Sequence, residues 1–315
     1  MKKFKKYLPS KKFLIILGVS ATLVTTVLLI FFISSKIQRY SNQNTKKTAL
    51  NVGNQTVEDL MLKDSDGDGV SDWEEALWGT DPKNKMTFNG IPDATYIANK
   101  KKDLKIDQNV TAENLTETDK FARQFFSAYT SMKASGQVDS QTINNFGNAL
   151  GQKIVNPSLV DRYSEKDIKI ANIDDANSRV KYYFAVKKLF ESHKSTGLGD
   201  ELSIVSGGLN TYSATGKDSQ SAELTTIANA YQDFAQKITE MPVPNSLAVY
   251  HLRIANSANN TGISVSNMAK IISDPIVGLS GVSQYQKYND DLTSVVSNLE
   301  TTISKDDTIT ASGNQ

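Results

Sequence analysis

The most continuous run of apolar positions in this chain lies near its N-terminus. Phe13 to Ile33 carries no charged residue and is rich in Leu, Ile, Val and Phe. A helix over this run spans about 30 Å, the thickness of a hydrocarbon core. It is longer than the apolar core of a signal peptide, and no small-residue cleavage site follows it. The pattern predicts an uncleaved transmembrane helix over 13–35 that contacts the lipid bilayer through residues 13–33.

Beyond residue 115, apolar residues recur at three- and four-residue spacing, which is typical of helices with one buried face. Thr116 and Asp119 are spaced as a capping box for the first of them. Ile168 and Ile170 alternate instead, so we expect residues 163–175 to form an extended connector. Seven segments of this kind predict a helical bundle over 115–304. The predicted helices lie at about 117–134, 140–155, 176–194, 202–212, 220–239, 247–272 and 275–304.

The second-to-last predicted helix carries the longest seam at 4-3 spacing. Strict 4-3 spacing is typical of a helix that packs at a shallow angle against another long helix. Asp274 suits an N-cap, and Pro275 suits the first helical position after it. The last two predicted helices form either an antiparallel hairpin or one long helix bent at Asp274–Pro275, and both arrangements remain open. The seam consists of Leu247, His251, Ile254, Ala258, Thr261, Val265, Met268 and Ile272.

Residues 64–75 read Asp-Ser-Asp-Gly-Asp-Gly-Val-Ser-Asp-Trp-Glu-Glu. An EF-hand-type loop takes oxygen ligands from positions 1, 3, 5, 7, 9 and 12, with Gly at position 6, here Gly69. The carboxylates repel one another without a cation, and calcium accepts such an oxygen set more readily than magnesium does. No Lys or Arg lies between Asp64 and Asp81 to neutralise them. The predicted Ca²⁺ ligands are Asp64, Asp66, Asp68, the Val70 carbonyl, Asp72 and Glu75.

The stretch D-S-D-G-D-G-V-S-D-W-E-E-A-L-W-G-T-D-P resembles the thrombospondin type-3-like calcium repeat of bacterial surface proteins, over about residues 60–83. This resemblance implies bound calcium and no particular activity. Position 8 of the loop is Ser71, whereas paired EF-hands have an apolar residue there. The chain also has a single copy of the motif. We therefore expect a fixed structural ion rather than a calcium sensor.

The chain also resembles, over nearly its whole length, a recurrent type of single-pass bacterial envelope protein. The residues that carry this resemblance are the calcium loop, N-L-T-E at 114–117, the M-P-V-P link, His251, D-P-I-V-G-L at 274–279 and Tyr285. The resemblance supports the architecture and implies no biochemical activity.

Charge and composition divide the chain further. Six lysines and no acid occupy residues 1–12, and fewer basic residues follow the apolar run, which favours a cytoplasmic N-terminus. We expect a single-pass protein of the cytoplasmic membrane whose bulk is extracytoplasmic. The predicted parts are a basic flank (1–12), the transmembrane helix (13–35), a polar stalk (36–56), the calcium module (57–83), a connector (84–114), the bundle (115–304) and a disordered tail (305–315).

No catalytic constellation is found in the sequence. There is no cysteine, and a net charge of +1 offers no basic stripe for nucleic acid. The two histidines are interpreted as structural, and Ser178-x-x-Lys181 lacks the K-T-G element that penicillin-recognising enzymes need. The sequence therefore predicts a binding or scaffolding role at the envelope, with an envelope protein or polymer as partner. Two alternatives remain open: an accessory component of a secretion, pilus or envelope-assembly machine, and an enzyme that acts on wall or polysaccharide.

Overall fold

The computed structural model describes residues 51–52, 55–104, 114–134, 140–155 and 158–312. The predicted basic flank, transmembrane helix and nearly all of the predicted stalk lie outside the described residues. Among the helices that are described, none is both long enough and apolar enough to cross a membrane. The described chain is mainly α-helical and forms two compact units, divided after Gln152. We call residues 51–152 the N-terminal unit and residues 153–312 the C-terminal unit.

Where the structure describes it, the N-terminal unit holds the acidic loop and five α-helices. Two short antiparallel strands, β1 (Asn51–Val52) and β2 (Gln55–Thr56), lead into the first helix. The helices are α1 (Val57–Leu62), α2 (Asp72–Trp78), α3 (Asp93–Asp103), α4 (Glu117–Ala134) and α5 (Ser140–Val155). The last of these runs through the division between the units. The segment 84–114, which we expected to be a connector, thus contains α3.

Aromatic and apolar side chains form the core of the N-terminal unit. Val57 of α1, Ala128 of α4 and Phe146 of α5 are buried together. The rings of Phe125 and Phe146 meet edge to face with centroids 5.7 Å apart, an arrangement that aromatic pairs favour. The helices α1 and α2 pack against α4, so the core supports the acidic loop that joins them.

The predicted start of α4 is confirmed by its cap. The Asp119 backbone N–H donates to Thr116 Oγ1 at 3.0 Å, and the Thr116 backbone N–H donates to Asp119 Oδ2 at 3.2 Å. This reciprocal pair satisfies two backbone groups that the helix would otherwise leave without partners.

The C-terminal unit is a helical bundle. Its helices are α6 (Ala176–His193), α7 (Glu201–Thr215), α8 (Ser221–Glu240), α9 (Ala248–Met268) and α10 (Pro275–Ser312). Four of them pack in a closed ring, α6 on α10, α10 on α9, α9 on α8 and α8 on α6, and α7 packs on α8. Strand β3 (Lys169–Ile170) pairs in parallel with β4 (Pro242–Val243), which confirms extended backbone in the predicted connector. We expected a tail from residue 305, but α10 continues to Ser312, because no Gly or Pro interrupts it before Gly313.

The last two helices form an antiparallel hairpin. Tyr250 lies opposite Thr302, with 3.3 Å between their hydroxyl oxygens. Nearer the turn, the Asn267 side-chain amide donates to Gln284 Oε1 at 3.2 Å. Gly281 makes the close approach possible, since a Cβ there would lie 2.5 Å from the Met268 backbone nitrogen. The hairpin is therefore the arrangement that the protein adopts.

Helix α9 is buried on more than the predicted seam. Every residue from Ile254 to Gly262 is buried, including the polar ones. A Cβ at Gly262 would lie 2.8 Å from the Ala228 carbonyl oxygen, so α8 and α9 also approach closely. The Asn256 side chain accepts from the Tyr163 backbone N–H at 2.8 Å and donates to the Tyr163 carbonyl at 2.9 Å. The polar side chains of α9 thus hold the segment before β3 against the bundle.

Candidate metal centre

The acidic loop is built from turns that its own aspartates stabilise. Asp64 accepts backbone N–H groups from Gly67 at 2.8 Å and from Gly69 at 3.0 Å. Asp66 Oδ1 accepts the Asp68 N–H at 3.0 Å. The φ of Gly69 is 91°, a left-handed conformation that favours glycine. The predicted glycine turn at position 6 is confirmed.

After the loop, α2 begins at Asp72 and ends at Trp78. Gly79 follows with a φ of 80°, and its N–H donates to the Glu75 carbonyl at 2.8 Å. Glycine closes helices in this way because a left-handed residue costs it little. The short α2 therefore carries the Glu75 side chain back towards the loop.

Two groups of carboxylates meet at the loop. Asp64, Asp66 and Asp68 each offer an oxygen, and these oxygens lie within 4.8 Å of one another. Asp68, Glu75 and Asp93 form a second group, whose offered oxygens also lie within 4.8 Å of one another. Asp68 belongs to both, so the two groups form one continuous acidic cluster. Oxygens that share one calcium at 2.3–2.6 Å lie at such separations.

Three oxygens of this cluster have no hydrogen-bond partner, although they are buried. They are Oδ2 of Asp66, Oδ2 of Asp68 and Oε2 of Glu75. The Glu75 side chain is fully enclosed, with 0% of the residue exposed. Buried polar atoms almost always have a partner, because an unpaired one costs free energy. Unpaired carboxylate oxygens are what a cation would bind, so the residues fit a calcium ion.

The electrostatics of the loop agree with this reading. Burial, followed by the charges of Asp66, Asp68 and Asp93, raises the pKa of Glu75 to about 7. Burial also raises the pKa of Asp66. In contrast, the N–H of Gly69 helps to hold the pKa of Asp64 below its ordinary value. The cluster therefore stores repulsion that a divalent cation would relieve.

Asp72, the predicted ligand at position 9, has hydrogen-bond and ion-pair partners of its own. Its Oδ1 accepts the Ser65 backbone N–H at 2.7 Å, and its Oδ2 accepts the Ser65 hydroxyl at 2.7 Å. Lys63 Nζ lies 2.9 Å from the same Oδ2. Burial alone would raise the pKa of Asp72, but the bonds from Lys63 and Ser65 lower it. Of the predicted side-chain ligands, the structure brings together Asp64, Asp66, Asp68 and Glu75.

Val70 supplies the remaining predicted ligand, its carbonyl. Its backbone N–H donates to Asp68 Oδ1 at 2.8 Å, and its side chain is buried. These contacts fix the backbone at position 7 of the loop.

Sequence reasoning missed Asp93, which lies at the first position of α3. A signal was present, because Asn89-Gly90-Ile91-Pro92-Asp93 repeats the spacing of Asp68-Gly69-Val70-Ser71-Asp72. Gly90 has a φ of 73°, in the same region as Gly69. Residues 86–93 thus resemble part of a second, shortened loop.

The other residues considered as candidates have structural partners. His251 is buried as predicted, and its Nδ1 lies 2.8 Å from the Tyr182 hydroxyl. His193 Nε2 lies 2.7 Å from Asp233 Oδ2. Ser178, the serine of the S-x-x-K pattern, joins a capping box, with its N–H donating to Asp175 Oδ1 at 2.7 Å.

Comparison with known proteins agrees with the loop geometry. A family model described as "Bacterial TSP3 repeat" matches residues 64–85. The resemblance to a calcium repeat, predicted over about 60–83, is confirmed there, and repeats of this type bind calcium. Searches of curated proteins and of solved structures found no match. The wider resemblance to a single-pass envelope protein stays a prediction.

Proposed function

We propose that this chain is a membrane-anchored, calcium-stabilised helical protein that binds or scaffolds a partner at the cell envelope. The observation that carries the calcium part is the set of buried, unpaired oxygens on Asp66, Asp68 and Glu75. They lie in a segment that matches a repeat of the calcium-binding type. The proposed ligands within the loop are Asp64, Asp66, Asp68, the Val70 carbonyl and Glu75.

Calcium would stabilise the folded acidic loop. None of the ion pairs in the described residues involves a carboxylate of the cluster, since Lys63 pairs with Asp72 and Lys101 pairs with Glu74. A cation that binds only the folded loop stabilises it by mass action. The ion would thereby fix α1 and α2, which pack on the core of the N-terminal unit. We propose that this keeps the segment after the stalk rigid.

The proposed location rests on sequence features. Residues 13–33 are long and apolar enough for a membrane helix, and residues 1–12 carry six lysines. Extracellular calcium modules bind at about 10⁻⁴–10⁻³ M, which is useful only where calcium is abundant. A partner in the envelope, a protein or a polymer, follows from this location. A net charge of +1 argues against nucleic acid.

Calcium titration of the full chain in detergent micelles tests the first half of the proposal. Isothermal calorimetry should show binding with a Kd of about 10⁻⁴–10⁻³ M. Asp64→Asn, at the loop position where the pattern requires Asp, should abolish that binding and leave the far-ultraviolet circular dichroism unchanged. A folded wild-type chain that binds no calcium would overturn the calcium-stabilised function.

Membrane topology tests the second half. Because the sequence has no cysteine, Val160→Cys would introduce a single thiol at a residue that is 86% exposed. A membrane-impermeant maleimide should label it in intact bacterial cells. Labelling that occurs only after lysis would place the bundle inside and refute the proposed orientation.

A further inference from the structure

We propose that Asp93, from outside the matched repeat, is a ligand of the same calcium ion and fills the place that the loop pattern assigns to Asp72. The ion would then join the loop to the N-terminus of α3. This inference rests on the proposed function, because it requires that the loop binds calcium. Three observations carry it.

The first observation is proximity. Asp93 shares its group with Asp68 and Glu75, whose offered oxygens lie within 4.8 Å. Two members of that group, Asp68 and Glu75, each have a buried oxygen without a partner. Asp93 itself is 0% exposed. Its carboxylate is therefore enclosed beside the atoms that most need a cation.

The second observation is a contrast between Asp93 and Asp72. Both stand at the start of a helix, and both accept two bonds from one hydroxyl residue. Thr87 donates to Asp93 through its N–H at 2.8 Å and through its hydroxyl at 2.6 Å, as Ser65 does to Asp72. Asp72 has Lys63 as a counter-charge, whereas no ion pair in the described residues includes Asp93. A buried carboxylate without a counter-charge is costly, and a bound cation would remove that cost.

The third observation is spare bonding capacity. A carboxylate has about four lone-pair positions, and the bonds from Thr87 occupy two of them on Asp93. Coordination to calcium therefore leaves the bonds to Thr87 in place. Calcium accepts six to eight oxygens in flexible geometry, so a carboxylate from outside the loop can complete its shell.

The consequence is that calcium would fix α3. Asp93 is the first residue of α3, and the far end of that helix is tied to α2 by the ion pair between Lys101 and Glu74. With calcium bound, both ends of α3 would be attached to the loop and its helix. Without calcium, only the far end would keep an ionic contact.

The test compares isosteric variants of the full chain in detergent micelles by calorimetry with calcium chloride. Asp93→Asn should weaken calcium binding by about 30-fold or more, because charged ligands set the affinity of such sites. Asp72→Asn should change it by about threefold or less, as should Asp103→Asn, the matched control at the exposed end of α3. Thr87→Val, which removes a bond that orients Asp93, should also weaken calcium binding, but less than Asp93→Asn does. Asp93→Asn that binds calcium as tightly as the wild type would overturn the proposal.

Hydrogen exchange of the wild-type chain gives a readout that does not depend on a variant folding. Calcium should slow exchange of the amides in α3, and Asp93→Asn should remove that protection. Calcium binding without any added protection of α3 would refute the inference. Asp64→Asn separates the two proposals. If it abolishes binding and Asp93→Asn does not, the calcium function stands and only the role of Asp93 falls.

Discussion

Acidification should destabilise the C-terminal unit through His251. This side chain is 0% exposed within α9, and burial lowers its pKa from 6.5 to about 4. Its Nδ1 is bonded to the Tyr182 hydroxyl, and its Nε2 has no partner. Within the part of the chain that the structure describes, no carboxylate forms an ion pair with this ring, and burial holds it neutral in the folded protein. The unfolded chain can protonate it at an ordinary pH.

The size of this effect follows from the two pKa values. Above pH 6.5 both states are neutral, and the histidine adds no pH dependence. Below pH 6.5 the unfolded chain binds a proton that the folded protein resists until about pH 4, so the unfolding free energy falls as the pH falls. The loss is about 2 kcal/mol at pH 5 and about 3 kcal/mol at pH 4.

The assay is urea unfolding of the polypeptide from residue 51 onward, followed by circular dichroism at 222 nm, at pH 7.5 and pH 5. Other groups also titrate between these values, so the comparison is with His251→Gln. That side chain can still bond to Tyr182, but it does not titrate. When the pH falls from 7.5 to 5, the wild type should lose about 2 kcal/mol more unfolding free energy than the variant does.

One result would refute this reasoning. Suppose that the difference in unfolding free energy between wild type and variant changes by less than about 0.5 kcal/mol between pH 7.5 and pH 5. The folded protein then binds the proton as readily as the unfolded chain does. The buried ring would then have an acidic partner or water that compensates for its burial.

Three further predictions concern packing and the ion. In urea unfolding, Gly281→Ala should lower the unfolding free energy by about 2 kcal/mol, because the new Cβ would lie 2.5 Å from the backbone of α9. Gly147→Ala, whose Cβ would have nothing within 4 Å, should raise it by up to about 1 kcal/mol. Equal effects of the two variants would contradict the packing argument. Leu299→Ala, at a residue that is 0% exposed, should lower the unfolding free energy by about 2–5 kcal/mol. Val249→Ala, at a residue that is 70% exposed, should lower it by about 0.5 kcal/mol or less. Similar losses for the two variants would refute the assigned core. Removing calcium with EDTA should change tryptophan fluorescence, since both tryptophans lie in α2. It should change the circular dichroism of the helical bundle little. Unfolding of the bundle on EDTA addition would refute the independence of loop and bundle.

Local patterns were enough to predict most helices. The spacing of apolar residues in α8 reports directly which face is buried, because a helix repeats every 3.6 residues. The capping box of Thr116 and Asp119 also predicts a boundary correctly, since the bonds join residues three apart. Each of these signals lies within a few turns of chain, so no knowledge of the fold is needed.

The metal centre was predictable only in part, for the same reason. Asp64, Asp66, Asp68 and Glu75 are brought together by one loop and one helical turn. Asp93 reaches them from the next helix, through a turn at Asn89 and Gly90 that lies outside the loop pattern. The pattern also predicts Asp72 as a ligand, and in the structure this carboxylate bonds to a neighbouring lysine and serine.

By itself, the sequence determined a mainly helical chain with a calcium-type acidic loop, because both features depend on residues that are close together in the sequence. Tertiary packing alone decided that α9 and α10 fold back as a hairpin, since their apolar spacing is the same in a hairpin and in a bent helix. The close approach at Gly281 is visible only when the two helices face each other. Packing likewise buried the polar face of α9 and brought Asp93 to the loop. These contacts join residues far apart in the chain, and no short-range pattern encodes them.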